Sequence, residues 1–360
     1  MRLGVEAAIV DGVLVPGDVE LEGERIGAVG LPGRGHGIAI PGFVDLQVNG
    51  FAGVDFLGAD LDGYRRAGEA MLATGVTAFQ PTLITAPEED VVAALAAVPG
   101  DGVGPRVLGV HLEGPFLSPK RLGAHPAGSR RDPDLALLER LLGAGPVSQV
   151  TLAPELPGAL GLIEVLHAWG IVVSFGHSDA SAAEARAGFE RGVSTVTHLF
   201  NAMRPFGHRD PGLVGAALAD ERVDVQLILD GSHVADETAS VVRRAAAGRL
   251  ALVTDAGAAL GGEDGVALLG GIEVEVKDGV ARLPDGTLAG GGGTMLEAVR
   301  RLCALGATLP EAAGAAATVP ARIARRLELG MLRPGAAADV VVLDGGLELQ
   351  RVVVAGIDRL

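Results

Sequence analysis

The chain has 360 residues, 48% of them hydrophobic, and a formal net charge of −16 at pH 7, which is enough chain for one large domain and a small one. The acidic balance excludes a general nucleic-acid binder, yet leaves room for an anionic small molecule held by a local basic cluster. One cysteine, Cys303, excludes an intrachain disulfide and fits a reducing cytoplasm.

In chain order, residues 3–40 are short apolar stretches broken by DG, PG and EGE turns, the texture of hairpins. Glu6 and Asp11 fall where a secretory signal needs an apolar core. From residue 42 onward eight apolar runs follow: 42–49, 77–83, 107–114, 147–155, 171–177, 194–201, 223–230 and 250–256. The uncharged stretch from Glu69 to Glu88 is interrupted by Gly75, Gln80 and Pro81, so it reads as helix end, turn and strand, not as a membrane span. The segments between runs are long enough for crossover helices; SDASAAEARAGFERG, for instance, starts on Asx/Ser and stops on Gly. This alternation predicts an α/β protein, a (β/α)8 TIM-type barrel, with a doubly wound sheet as the alternative because a strand count does not show closure. Segment 257–293 exceeds a plain βα loop, contains the hairpin-like GIEVEVKDGVARLPDG and is placed to cover a site. Residues 332–360 repeat the hairpin texture of the start. The expected organisation is a small β-sandwich from 1–41 and 332–360 around a barrel of 42–331.

Chemistry in such a barrel sits at the C-terminal ends of its strands. Those ends carry Gln47 and Asn49, His111 and Glu113, Glu155, His177, His198, Asp230 with His233 just beyond, and Asp255. A lone histidine at a strand end is ordinarily a hydrogen-bonded packing residue, and His36 in a glycine-rich loop and His167 in a helix are read that way. As a set, Glu113, His177 and His198 offer one oxygen and two nitrogens and leave coordination open for water, as a catalytic metal requires. Asp255 serves equally as a turn cap or as a general base beside that site. Arg204, His208 and Arg209 make a basic patch in an acidic chain.

With PGFVDLQVNG, HLEGPF, GHS, THLFNAM, HRDPGLVG, DGSH, VTDA, LAG before TM, and GMLRPGAAADVVVLD in order, the chain resembles the N-acetylglucosamine-6-phosphate deacetylase branch of the amidohydrolase superfamily. The resemblance implies one divalent metal per subunit, zinc or ferrous iron, on Glu113, His177 and His198. It implies Asp255 as catalytic base and then acid, with His125 helping to stabilise the oxyanion. Substrate contacts are implied at Ala124, His125, Asn201, Ala202, Arg209, Asp230, Gly231, Ser232, His233, Leu288, Ala289 and Gly290. Arg209 is expected to reach the sugar phosphate from the neighbouring subunit of a homodimer. Gln47 and Asn49 stand where relatives with a second metal carry histidines, so a single metal is expected. The run Gly290–Gly293 is open to two uses, receiving an anion or hinging a lid. The resulting expectation is a cytoplasmic hydrolase of amino-sugar metabolism. It would deacetylate N-acetylglucosamine 6-phosphate and bind neither membrane nor nucleic acid. A deacetylase of a related amino sugar and a silent sugar-phosphate-binding barrel are the alternatives.

Overall fold

The computed structural model describes residues 1–33, 35–100 and 102–360. Eight parallel strands form the barrel: β1 (Phe43–Val48), β2 (Val76–Ile84), β3 (Val110–Glu113), β4 (Val147–Leu152), β5 (Val172–Phe175), β6 (Thr195–Val196), β7 (Asp224–Ile228) and β8 (Leu250–Val253). They pair in sequential order from β1 to β8. A helix follows each strand, the first spanning Leu61–Leu72 and the last Met295–Ala304. Sequential parallel pairing with a crossover helix after every strand is the barrel architecture.

Closure, which the sequence left open, rests on few bonds. A single bridge joins Val48 to Ala256, and Asn49 N–H donates to the Ala256 carbonyl at 2.6 Å. Side chains complete the seam. The buried Asp45 carboxylate accepts from Thr254 N at 3.2 Å and Thr254 Oγ1 at 2.5 Å. Burial pushes the Asp45 carboxyl up to about 7, against the pull of these donors.

Alternation along the strands divides two environments. In β4, Val150 and Leu152 join an apolar cluster with Leu138 and Leu162 of the outer helices, while Gln149 and Thr151 are fully buried on the opposite face. His111, Ser174, Thr197 and Gln226 are likewise fully buried, so the barrel interior below the mouth is polar.

Two of the expected strands are shorter or split. The run 107–114 divides into Arg106–Val107 and β3, because Gly109 has a positive φ and presses against the Pro146 carbonyl. The run 194–201 pairs only at Thr195 and Val196, because left-handed residues at His198 and Phe200 turn the chain out of the sheet.

Both termini contribute to one six-stranded sheet, ordered Val13–Pro16, Ala7–Val10, Ile38–Pro41, Val340–Leu343, Leu349–Val354 and Ile357–Asp358. The hairpin Asp18–Glu22/Arg25–Leu31 faces it across Val19, Leu21, Ile26, Val340 and Val353. Arg106 ties barrel to sheet through a two-pronged contact with Asp339, at 2.7 and 3.1 Å. Segment 257–293 folds into three antiparallel strands, Gly265–Leu269, Ile272–Lys277 and Val280–Arg282, with the hairpin where the sequence places it. Among the described residues no helix is long and apolar enough to cross a membrane.

Candidate active site

A cavity of about 180 Å³ opens at the C-terminal mouth of the barrel, with Glu113, His125, His177, His198 and Asp255 in its walls. A larger one, about 340 Å³, lies at the opposite end, beside Leu250 and the terminal sheet. It holds three arginines, each facing its own carboxylate: Arg243 with Glu311, Arg322 with Asp224, Arg333 with Asp11. Donor chemistry, not size, distinguishes the mouth.

Three donor atoms converge there. Glu113 Oε1 lies 2.9 Å from His177 Nε2 and 2.7 Å from His198 Nε2, and the two nitrogens are 3.0 Å apart. His177 Nδ1 faces the Arg121 carbonyl at 3.0 Å. A carbonyl only accepts, so the proton sits on Nδ1 and Nε2 turns its lone pair to the cluster. Burial would raise the Glu113 carboxyl, but the three surrounding imidazoles, His177 foremost with His125 and His198, hold it well below the usual carboxylate range. One carboxylate and two imidazole nitrogens aimed at a common point fit a divalent transition metal.

His125 lies within 4.8 Å of the Glu113 and His177 donor atoms and belongs geometrically to the same cluster. Its role differs. Thr85 N–H donates to His125 Nδ1 at 3.2 Å, which leaves the ring proton on Nε2. That N–H, 3.7 Å from Glu113 Oε2, faces the cavity as a donor. Burial holds the His125 pKa down at about 4, so the ring is neutral at physiological pH.

Gln47 and Asn49 are engaged on the other side. Gln47 Nε2 donates to Glu113 Oε2 at 3.1 Å and to Asp255 Oδ1 at 3.0 Å, while Asn49 Nδ2 donates to the same Asp255 oxygen at 2.8 Å. Burial, then the nearby Glu113 charge, raises the Asp255 carboxyl to about 6. His177, His198, Phe200, Ala202 and Asp255 all have positive φ, a concentration of backbone strain at one rim.

The remaining expected contacts divide. Ala124, Asn201, Ala202, His233, Leu288 and Gly290 line the cavity. Asp230, Gly231 and Ser232 do not. The Asp230 carboxylate is spent internally, on Ser232 N, His233 N, His233 Nδ1 and Gly292 N, and these bonds, His233 foremost, hold it far below its ordinary pKa despite burial. Asp230 thereby fixes the His233 ring. Ala289 is buried behind the wall, in an apolar cluster with the wall residues Ile84 and Leu269. Arg209 is exposed and away from its own chain's cavity. The glycine run is explained by close approach: a Cβ on Gly291 would stand 1.9 Å from the Thr254 carbonyl. Its amides are occupied too, Gly291 N by Asp255 O and Gly292 N by Asp230, which opposes the anion-binding use. Ile84, Leu269 and Thr287 also line the cavity. The signal for Leu269 and Thr287 lay in the long 257–293 segment, whereas Ile84 ends an apolar strand with nothing to mark it.

The profile of the amidohydrolase family matches residues 38–357. The Bos taurus N-acetylglucosamine-6-phosphate deacetylase is 40% identical over 338 residues, covering 89% of this chain and 82% of that protein. The Escherichia coli O157:H7 N-acetylgalactosamine-6-phosphate deacetylase is 38% identical over 339 residues, covering 91% and 89%. A solved structure of a mutant N-acetyl-D-glucosamine-6-phosphate deacetylase from Mycobacterium smegmatis, in complex with N-acetyl-D-glucosamine-6-phosphate, superposes with a TM-score of 0.95 at 37% identity, covering 100% of this chain and 99% of that one. With a three-donor cluster at the mouth of a closed barrel and this likeness along its whole length, the chain belongs to the amidohydrolase family, in the branch of the N-acetylhexosamine-6-phosphate deacetylases.

Proposed function

We propose that the chain hydrolyses the acetamide of N-acetyl-D-glucosamine 6-phosphate, giving D-glucosamine 6-phosphate and acetate. The observation that carries this reading is the pairing, in one cavity, of the Glu113–His177–His198 cluster with a separately held carboxylate, Asp255. Glu113, His177 and His198 would hold one divalent ion, zinc or ferrous iron, which when bound supplies Lewis acidity to the amide carbonyl.

The chain's own groups do the rest. Both hydrogen bonds to Asp255 fall on Oδ1, leaving Oδ2 to take the proton of the attacking water. Asp255 then returns that proton to the departing nitrogen, since an amide anion is too basic to leave; such acid–base help is worth ~10²–10⁴ in rate. His125 Nε2–H, fixed by Thr85, donates to the oxygen on which charge develops. His233, held by Asp230, and the Asn201–Ala202 turn contact the sugar. Arg209 supplies the phosphate clamp from a second copy across a homodimer interface, where a guanidinium holds phosphate with two parallel bonds. Residues 1–41 and 332–360 form the small domain beside the barrel.

The galacto epimer is the second reading, favoured by the similarity to the Escherichia coli enzyme. Acetate release from the gluco and galacto 6-phosphates and from unphosphorylated N-acetylglucosamine, before and after chelation, tests both. Turnover of the gluco 6-phosphate, lost on chelation and restored by zinc or ferrous iron, is the expected result. Preference for the galacto 6-phosphate would reassign the substrate. Metal uptake without any turnover would leave a silent binding barrel.

A further inference from the structure

One layer beneath the metal-ligand cluster, four buried side chains touch in series. His111 Nε2 lies 2.7 Å from Thr151 Oγ1, Thr151 Oγ1 lies 2.7 Å from Thr197 Oγ1, and Thr197 Oγ1 lies 2.6 Å from Ser174 Oγ. All four residues are fully buried. The series ends on two backbone carbonyls, Leu46 O at 3.3 Å from His111 Nδ1 and Thr195 O at 3.4 Å from Ser174 Oγ.

Counting hydrogens shows which links are firm. A neutral imidazole and three hydroxyls bring four hydrogens to five contacts. With the donors all running one way along the series, the three short inner links are made and one of the long carbonyl contacts is left without a hydrogen; Gln149 Nε2, 3.4 Å from His111 Nε2, adds a further donor at that end. Either tautomer of His111 is therefore compatible with a complete inner belt.

Its members stand beside the cluster in the chain. His111 is two residues before Glu113 on β3, Ser174 three before His177 on β5, and Thr197 immediately before His198. Strand β4 contributes none of the three ligands and separates β3 from β5. Thr151 fills that gap, standing in register with Glu113 on one side and Ser174 on the other, and its hydroxyl reaches both His111 and Thr197. Across a low-dielectric interior such hydrogen bonds are stiff; partners bonded directly to metal ligands typically change metal affinity ~10–100-fold, and the belt acts on the same ligands through the strands that carry them.

We infer that Thr151 and Thr197 are positioning residues for the metal cluster, their belt with His111 and Ser174 setting the separation of Glu113, His177 and His198. This rests on the metal-site reading above. Zinc affinity of the full-length metal-free chain, measured by competition with a chromophoric chelator, tests it without recourse to activity. Thr151→Val and Thr197→Val are expected to weaken zinc binding at least 10-fold, with Thr151→Ser restoring it. Thr77→Val, which removes a buried hydroxyl bonded to the Phe43 carbonyl at the start of β2, controls for general loosening and should leave affinity within about 2-fold. If a valine variant does not fold, Ser174→Ala makes the milder cut at the end of the belt, with the same direction expected. Unchanged affinity in folded belt variants overturns the inference alone, as does an equal loss in Thr77→Val. A wild-type chain that takes up no zinc overturns the metal-site reading and the inference with it.

Discussion

The two sides of the barrel mouth are built for opposite tasks. On the β3, β5 and β6 side, Glu113, His177 and His198 turn a carboxylate oxygen and two ring nitrogens to a single point. On the β1 and β8 side, Gln47 and Asn49 turn N–H groups to Asp255. The first side is an acceptor set that calls for a cation. The second holds a carboxylate by fixed dipoles in place of a cation, as suits the proton exchange proposed for Asp255. A metal in contact with Asp255 from both sides would stabilise its ionised form and make it a poorer base; carboxamides hold its position with less suppression of its basicity.

The largest expected effect comes from breaking the acceptor side. Glu113→Gln should lower metal affinity beyond the ~10–100-fold typical of an outer partner and abolish turnover with it; metal retained after gel filtration would remove Glu113 from the ligand set. Next, Asp255→Asn should keep its metal while kcat falls ~10²–10⁴-fold. Metal analysis beside the acetate assay separates the two, and near-normal turnover would end the case for Asp255. Converting the donor side into an acceptor side, by Gln47→His together with Asn49→His, should raise bound metal from about one toward about two per chain. A ratio that stays at one would mean the carboxamides are not what limits the site to a single ion.

The smallest effect concerns the seam below. Asp45 titrates near 7 in the fold and near 3.8 when exposed. Between those values the unfolded chain has released this proton and the folded chain has not, so the group's contribution to stability falls as pH rises from about 4 to about 7. Its full weight is on the order of 4 kcal/mol. Asp45→Asn should flatten that part of a stability-versus-pH curve measured by urea denaturation; parallel curves for the two proteins would refute the assignment.

Much of this comparison is readable from residue types, and some is not. Glu113, His177 and His198 are legible only as a set, because any one polar residue closing a strand is ordinarily a packing residue, and Asp255 reads equally as a turn cap. The eight alternating strand–helix units are legible from runs and their spacing, whereas their closure, a single bridge from Val48 to Ala256, is not. The direction of a carboxamide is not legible either: the sequence places Gln47 and Asn49 at the end of the first strand, but does not show that their N–H ends reach Asp255. Nor does the sequence reveal that Asp230 is consumed by His233 and Gly292, because a contact 62 residues away leaves no local mark. His125 is visible as a polar residue, whereas its proton position depends on Thr85, 40 residues upstream. The end of β6 is misplaced because left-handed backbone at His198 and Phe200, neither a glycine, carries no compositional signal.

The seam between β1 and β8 also sets an order of events during synthesis. The acceptor side is complete once residue 198 has been made, on four neighbouring strands. Asp255 meets Gln47 only when segments 208 residues apart are joined at the closing edge. If Glu113, His177 and His198 are the ligands and Asp255 the base, as proposed, a chain that has its first six strands carries every ligand residue but not the base. On the proposed reading, ring closure is what brings the base to the ion site, and the last strand to arrive carries it.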